Sequence, residues 1–415
     1  GGSATLAAER KSGEDWSGYY NGYLYGAEWH YAKAETLASG ECGAQGKNLT
    51  WILYDNGELV ISGTGLMKGY TDSVRAPWYD NREKITSLTV EAGVTSIGNW
   101  AFYNCYKLKS VDLPAGLNRI GDYAFYSSGL ESAALPEGLT RIGQSAFSYC
   151  SSLTSITFPE GLTTIGGSAF ERCTQLNSVF LPEGLKTIGT CTFRNCSSLT
   201  TVTFPSSLKT IENDAFWECL SLVEVVLPEG LTSIGSSVFY RCSALTSVSL
   251  PESLTMIGET TFSGCGSLTS VVIPEGVKTI DVRMFLDCAS LESVTIPAGV
   301  TAIGFCAFQN CSSLSAIDLP AGLTKIESST FSGCSSLTEI TIPAGVTSIG
   351  DNAFTECSAL SELTIPEGVT SIGQKAFQFC ESVESVTLPA SLTTISDNAF
   401  DGCYNLATVT YGGTE

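Results

Sequence analysis

The stretch AFSYCSSLTSITFPEGLTTIGGSAF, residues 146–170, begins and ends on Ala-Phe, and the same phrase recurs through most of the chain. Phenylalanines fall at Phe102, Phe125, Phe147, Phe170 and onward to Phe400 in steps of 23 residues, with a single step of 22 after Phe125, which makes fourteen copies. The short copy, YSSGLESAALP, lacks one residue and also the cysteine that elsewhere stands three residues after the phenylalanine; one deletion accounts for both.

Within a copy the pattern is A-F-x-x-C-x-x-L-x-x-V-x-L-P-x-G-L-x-x-I-G. The portion L-x-x-V-x-L alternates apolar and small polar residues and stops at a proline in thirteen copies, from Pro114 to Pro389. Proline has no N–H with which to extend a ladder, so it sets a strand end. Two residues later stands glycine in ten of those copies and Ser207, Ser253 or Ser391 in the other three, which is turn chemistry of the kind that accepts positive φ. The segment L-T-x-I-G forms a second extended stretch, and x-x-A-F fits one turn of 3-10 helix. A coil of 23 residues cannot bury its own apolar face, but stacked coils can. The expected architecture is an α/β-type repeat solenoid, mostly β and right-handed, with the phenylalanine and three strand positions, such as Leu153, Ile156 and Phe158, facing inward.

Residues 1–83 are of a different kind from 84–415. NLTWILYDNGELVISGTG reads as a hairpin, with Trp51 and Leu53 facing Leu59 and Ile61 across an Asn56-Gly57 turn. Upstream, DWSGYYNGYLYGAEWHYAKAETLASG, residues 15–40, holds seven tryptophans and tyrosines between Trp16 and Tyr31, and its later half fits a helix. Hairpin and aromatic segment together are expected to cap the open end of a solenoid whose first partial coil begins near Lys84. The chain starts at Gly1 without methionine or a basic-then-apolar leader, as a trimmed or mature chain would.

Thirteen of the sixteen cysteines occupy the place three residues after the phenylalanine. There is no C-x-x-C pair and one histidine, His30, so zinc-type spacing is absent. Side chains in parallel register keep Cβ atoms about 4.8 Å apart, beyond the roughly 3.5–4.5 Å of a disulfide. These thiols therefore read as small hydrophobes filling a corner of each coil. So many unpaired thiols point to a reducing or oxygen-poor setting. Cys191 and Cys306 occupy a position that elsewhere holds Asp214, Lys375 or Asn398 and are expected to be more exposed.

The formal charge of −21 repels phosphate backbones and anionic lipid, so nucleic acid is not an expected partner. No run of eighteen apolar residues is present to insert into a membrane. No nucleophile elbow, P-loop, H-E-x-x-H or calcium loop occurs, and neither a cofactor nor a metal is expected.

A solenoid offers its stacked strands as an extended concave surface. Most outward strand residues are serine or threonine, and the departures are the candidates: Phe180, Val226 and Val272, with Val223 and Glu224 beside them, form an apolar patch with an acidic rim. β-branched and aromatic residues also simply favour strands, which is the plainer account of the same residues. A second candidate is the ridge just after the phenylalanine, with Tyr103, Tyr126, Tyr149, Trp217 and Tyr240, whose rings either stack on a sugar or protein or pack on adjacent coils.

GVTSIGDNAFTECSALSELTIP, and the introducing segments ECGAQGKNLTWILYDNGELVISGTGLMKGY and APWYDNREKITSLTVEAGVTSIG, resemble the BspA-like class of bacterial leucine-rich repeats. The resemblance covers nearly everything from Glu41 onward. It implies a secreted or cell-surface protein, often of anaerobic gut or oral bacteria, that adheres without enzymatic activity to host extracellular protein or glycoprotein, or to other bacteria. It carries no binding residue across. The alternative is a carbohydrate-binding or scaffold region of a larger extracellular enzyme. The ending TVTYGGTE resembles the start of a closing motif that continues into a tryptophan.

Overall fold

The computed structural model describes residues 34–412, together with the backbone of two paired two-residue strands, Tyr23–Leu24 and Ala27–Glu28. His30 and the rest of the aromatic run from Trp16 to Tyr31 lie outside the described residues. The first sheet contains β1 (Thr36–Gly43), β2 (Gly46–Tyr54), β3 (Glu58–Gly63), β4 (Ser87–Val90) and β5 (Ser110–Asp112), in that order. The hairpin β2–β3 pairs Trp51 with Ile61 and Leu53 with Leu59. β1 stands where part of a helix was expected and pairs antiparallel with β2. Thr36, Ser39, Gly40 and Gly43 are weak helix formers, and the free edge of β2 offers partners for this backbone. The hairpin is not separate from the repeats, because β3 pairs in parallel with β4 and β4 with β5.

The later coils contribute to as many as three parallel ladders. On the strand face, Ser178–Phe180 pairs with Thr201–Thr203, with Val179 buried between two outward residues. On the second side Thr187–Ile188 pairs with Thr210–Ile211. On the third side the expected 3-10 turn does not form. Instead the N–H groups two before, at and two after the phenylalanine donate to the next coil, as in Cys191 N to Asn213 O (3.0 Å), Phe193 N to Ala215 O (2.8 Å) and Asn195 N to Trp217 O (2.7 Å). Both flanking residues have positive φ in all fourteen copies, for example 57° at Cys191 and 58° at Asn195. Outside glycine that conformation costs about 1–2 kcal/mol per residue, so the inter-coil bonds must offset it. Among the described residues the only helical element is the 3-10 turn Tyr79–Lys84.

The phenylalanines form one column, fully buried from Phe102 to Phe377, with ring centroids 5.2–5.8 Å apart and neighbouring planes within 17°. Such offset stacking contributes about 0.5–1.5 kcal/mol per pair beyond area burial. The first rung is Trp78, stacked on Phe102 and donating its indole N–H to Ala101 O at 2.8 Å. At the other end Phe400, Cys403 and Leu406 are only partly buried.

All sixteen cysteines are free, and the repeat cysteines are buried except Cys403, which is partly so. They are more than filler: each thiol from Cys150 onward donates to the carbonyl of the preceding coil's phenylalanine, as in Cys242 to Phe216 O at 3.3 Å and Cys265 to Phe239 O at 3.1 Å. In the short copy Ser128 holds the cysteine's place, buried, with its N–H bonded to Phe125 O at 3.0 Å and its hydroxyl 3.1 Å from the Cys150 sulfur. The missing residue therefore falls after Ser128, and the loss of cysteine is a separate substitution rather than part of the deletion.

The turn glycines also differ from expectation. Of the ten that follow the prolines, only Gly184, Gly230 and Gly368 have positive φ, at 95°, 90° and 103°. These are the glycines facing Ser207, Ser253 and Ser391 in the next coil, and their N–H groups donate to those hydroxyls at 2.9–3.0 Å. The hydroxyls in turn donate to Leu185, Leu231 and Val369 carbonyls. The serine of one coil thus selects the turn of the coil before it. Ser253→Ala is expected to lower stability by about 1 kcal/mol, read as a fall in urea midpoint at unchanged m, with faster amide exchange at Gly230.

Candidate functional site

The strand face displays the apolar candidates. Register places Phe180 beside Thr203, Val226 beside Ser249 and Val272 beside Thr295, so the three apolar residues alternate with small polar ones in a single outward column. They are 65%, 59% and 63% exposed. Val223 and Glu224 are exposed in the same coil as Val226, and so is Leu220, three residues before Val223. Leu220 is the addition made by the structure. Its column otherwise holds mainly small polar residues such as Ser197 and Ser243, so the aliphatic departure was visible in principle but lies in a turn outside the strand alternation.

The surrounding threonines are occupied. Thr200 donates to Asn177 O at 3.0 Å and Thr246 to Val223 O at 3.1 Å, each bridging to the preceding coil. The exposed apolar side chains are thus set on a laterally bonded platform.

The aromatic ridge is organised differently. Tyr103, Tyr126, Trp217 and Tyr240 are half-buried, and Tyr149, which stands two residues after its phenylalanine rather than one, is exposed. Tyr103 and Tyr126 stack at 5.1 Å, Tyr126 and Tyr149 lie 5.2 Å apart, and Trp217 and Tyr240 stack at 4.0 Å. Trp100 and Tyr123, stacked at 4.4 Å, extend the first group. Arginines cover the ends: Arg75 lies over Tyr79 and Tyr103, Arg172 over Tyr149, Arg194 over Trp217 and Arg241 over Tyr240. The Arg75 Nη1 is buried without a hydrogen-bond partner, so ring faces are what it meets. Burial, followed by the neighbouring Tyr149 and Tyr103, pushes the Tyr126 hydroxyl up to about 12. Most ring faces in this ridge are engaged by other rings or by guanidinium groups.

A groove of about 650 Å³ runs over five coils near Ala289, Ser312, Gly333, Ser335, Glu356 and Phe379. The hydroxyls of Ser312 and Ser335 already donate to carbonyls of the preceding coils, leaving little convergent polar chemistry in it. Among the described residues no three His, Cys, Asp or Glu side chains are grouped to hold a metal ion. Cys191 and Cys306 are of intermediate exposure; burial raises the Cys191 thiol, partly opposed by Arg194. Among the described residues no helix is long and apolar enough to cross a membrane.

Comparison with known proteins gives the lineage. The profile of the BspA type leucine rich repeat region (six copies) matches residues 73–197, 165–292 and 279–407. A leucine-rich repeat protein from Bacteroides ovatus is 26% identical with a TM-score of 0.58, covering 84% of this chain and 98% of its own. A leucine rich cell surface protein from Faecalibacterium prausnitzii is 27% identical with a TM-score of 0.45, covering 89% and 94%. No curated protein matches. With the repeat register, the buried phenylalanine column and the matched profile in agreement, the chain belongs to the BspA-type leucine-rich repeat family.

Proposed function

We propose that the protein is a non-enzymatic adhesion module of a bacterial surface, binding a host extracellular protein or glycoprotein, or another bacterial surface, through its strand face. Residues up to 83 serve as the cap of the stack rather than as a second binding unit. The observation that carries the reading is the outward column of Phe180, Val226 and Val272, with Val223 and Leu220 exposed in the same coil as Val226, on a platform whose other outward residues are mostly small and polar. Exposed apolar residues contribute little to folding and are the usual anchors of a partner. The fold and the free cysteines suit a cell-surface or secreted protein in an oxygen-poor setting. The carbohydrate reading of the ridge has less support, because a sugar would have to displace rings or guanidinium groups already in contact.

Val226→Asp and Phe180→Asp test this directly in a binding screen against host matrix proteins and glycans. Each is expected to weaken capture of the parent's ligand at least tenfold, about 1.4 kcal/mol, with thermal stability unchanged. Unchanged capture by both variants removes the strand face from the account.

A further inference from the structure

We propose that the occupant of the strand face is an extended, unfolded segment of a partner protein, apolar towards one end and basic towards the other, lying along the stack across the strands. This rests on the reading of that face as the binding surface and adds the partner's chemistry. In the outward strand columns the exposed large apolar residues, Phe180, Val223, Val226 and Val272, fall in the coils from Phe180 to Val272. In the following coils the same outward columns carry carboxylates instead: Glu292, Asp318, Glu339, Glu362 and Glu384, all exposed. Between Thr154 and Thr410 those outward columns contain no lysine or arginine. None of the ion pairs among the described residues involves these five carboxylates.

Glu339 and Glu362 share one column in successive coils, which strand spacing places roughly 4.8 Å apart. Like charges directly opposite destabilise a ladder. Lysine or arginine side chains of an occupant would relieve that repulsion, whereas an acidic or phosphorylated one would add to it. The strip runs through ten coils, about 43 Å, and is only a few residues wide, which fits about 13 residues of extended chain better than a globular face.

The probe is a labelled 14-residue synthetic peptide with a leucine-rich half and a lysine-rich half, followed by fluorescence anisotropy at about 20 and about 150 mM salt. Controls are each half alone and a counterpart with glutamate in place of lysine. The bipartite peptide is expected to bind at least tenfold more tightly than either half, and the glutamate counterpart not at all. The combined variant Asp318→Asn, Glu339→Gln, Glu362→Gln is expected to lose at least tenfold in affinity and most of the salt dependence. Val226→Asp is expected to lose affinity while keeping the salt dependence. If the neutralised variant binds like the parent while Val226→Asp weakens binding, the basic half is overturned and the apolar anchor stands. If Val226→Asp changes nothing, the anchor falls, and the bipartite occupant with it. Equal binding of the lysine and glutamate peptides also overturns the proposal.

Discussion

Titration from about pH 8 to about pH 11 is expected to unfold the protein, with loss of sheet circular dichroism and rise of thiolate absorbance in one step above pH 9. Burial pushes the thiols of Cys105, Cys196, Cys242 and Cys334 up to about 12 and that of Cys150 up to about 11, from an ordinary value of 9.0. Above 9 the unfolded chain therefore binds fewer protons than the folded one, and stability falls with rising pH. The contribution is fully present below 9 and is lost as the pH climbs towards the folded values. Each thiol removes about 1.4 kcal/mol per pH unit over that window, or about 7 kcal/mol per unit for these five. A typical domain holds about 5–15 kcal/mol, so the transition should fall within one or two units of 9. Tyrosine also ionises in this range, and a variant with these five cysteines changed to serine separates the two, because its alkaline midpoint should move upward. Serine already stands in this column at Ser128, so the substitution suits the site. A protein that keeps its sheet signal while its thiols ionise would show that the ladder is not sealed from water.

What could be read from the sequence was whatever repeats by column. The 23-residue period placed the phenylalanines, the alternation around Val179 and Val225 put Phe180 and Val226 outside, and the Asn56-Gly57 turn set the hairpin register. What escaped depends on pairs of coils. Gly230 has the same local sequence as most of its counterparts, and only Ser253 in the next coil decides its φ. The thiol of Cys242 looked like filler because its acceptor, the Phe216 carbonyl, is a backbone atom common to every residue type. Positive φ at Trp100, Arg283 and Lys375 was invisible because no glycine marks it; inter-coil hydrogen bonds override the local preference there. In the ridge the sequence named the aromatic residues but not that their faces meet, which depends on rotamers. Asp318, Glu339 and Glu362 carry no signal of their own in the sequence, since an acid is informative only once its column and the absence of a counter-ion are known.

Phe239→Ala is expected to lower stability by about 3–5 kcal/mol, the upper range for a core truncation. Phe239 is fully buried, with Phe216 at 5.7 Å and Phe262 at 5.8 Å on its two faces, so truncation removes two stacking contacts as well as the buried area. The backbone has little freedom to close the void. The Phe239 N–H is bonded to Thr261 O and its carbonyl accepts both the Cys242 N–H and the Cys265 thiol, which hold the coil at its spacing. In a linear array, stability is the sum of coil terms and neighbour interfaces, so a defect at the centre weakens two interfaces and lets the halves on either side unfold separately. Urea denaturation should accordingly change from one transition to two. Phe400→Ala provides the contrast, because Phe400 is only partly buried and stacks on Phe377 alone, at 5.2 Å. It should cost about 1–2 kcal/mol and leave a single transition, since the coils at that end can fray without dividing the stack. Equal losses for the two variants, or a loss below about 1 kcal/mol for Phe239→Ala, would mean that the phenylalanine column is not what binds the coils together.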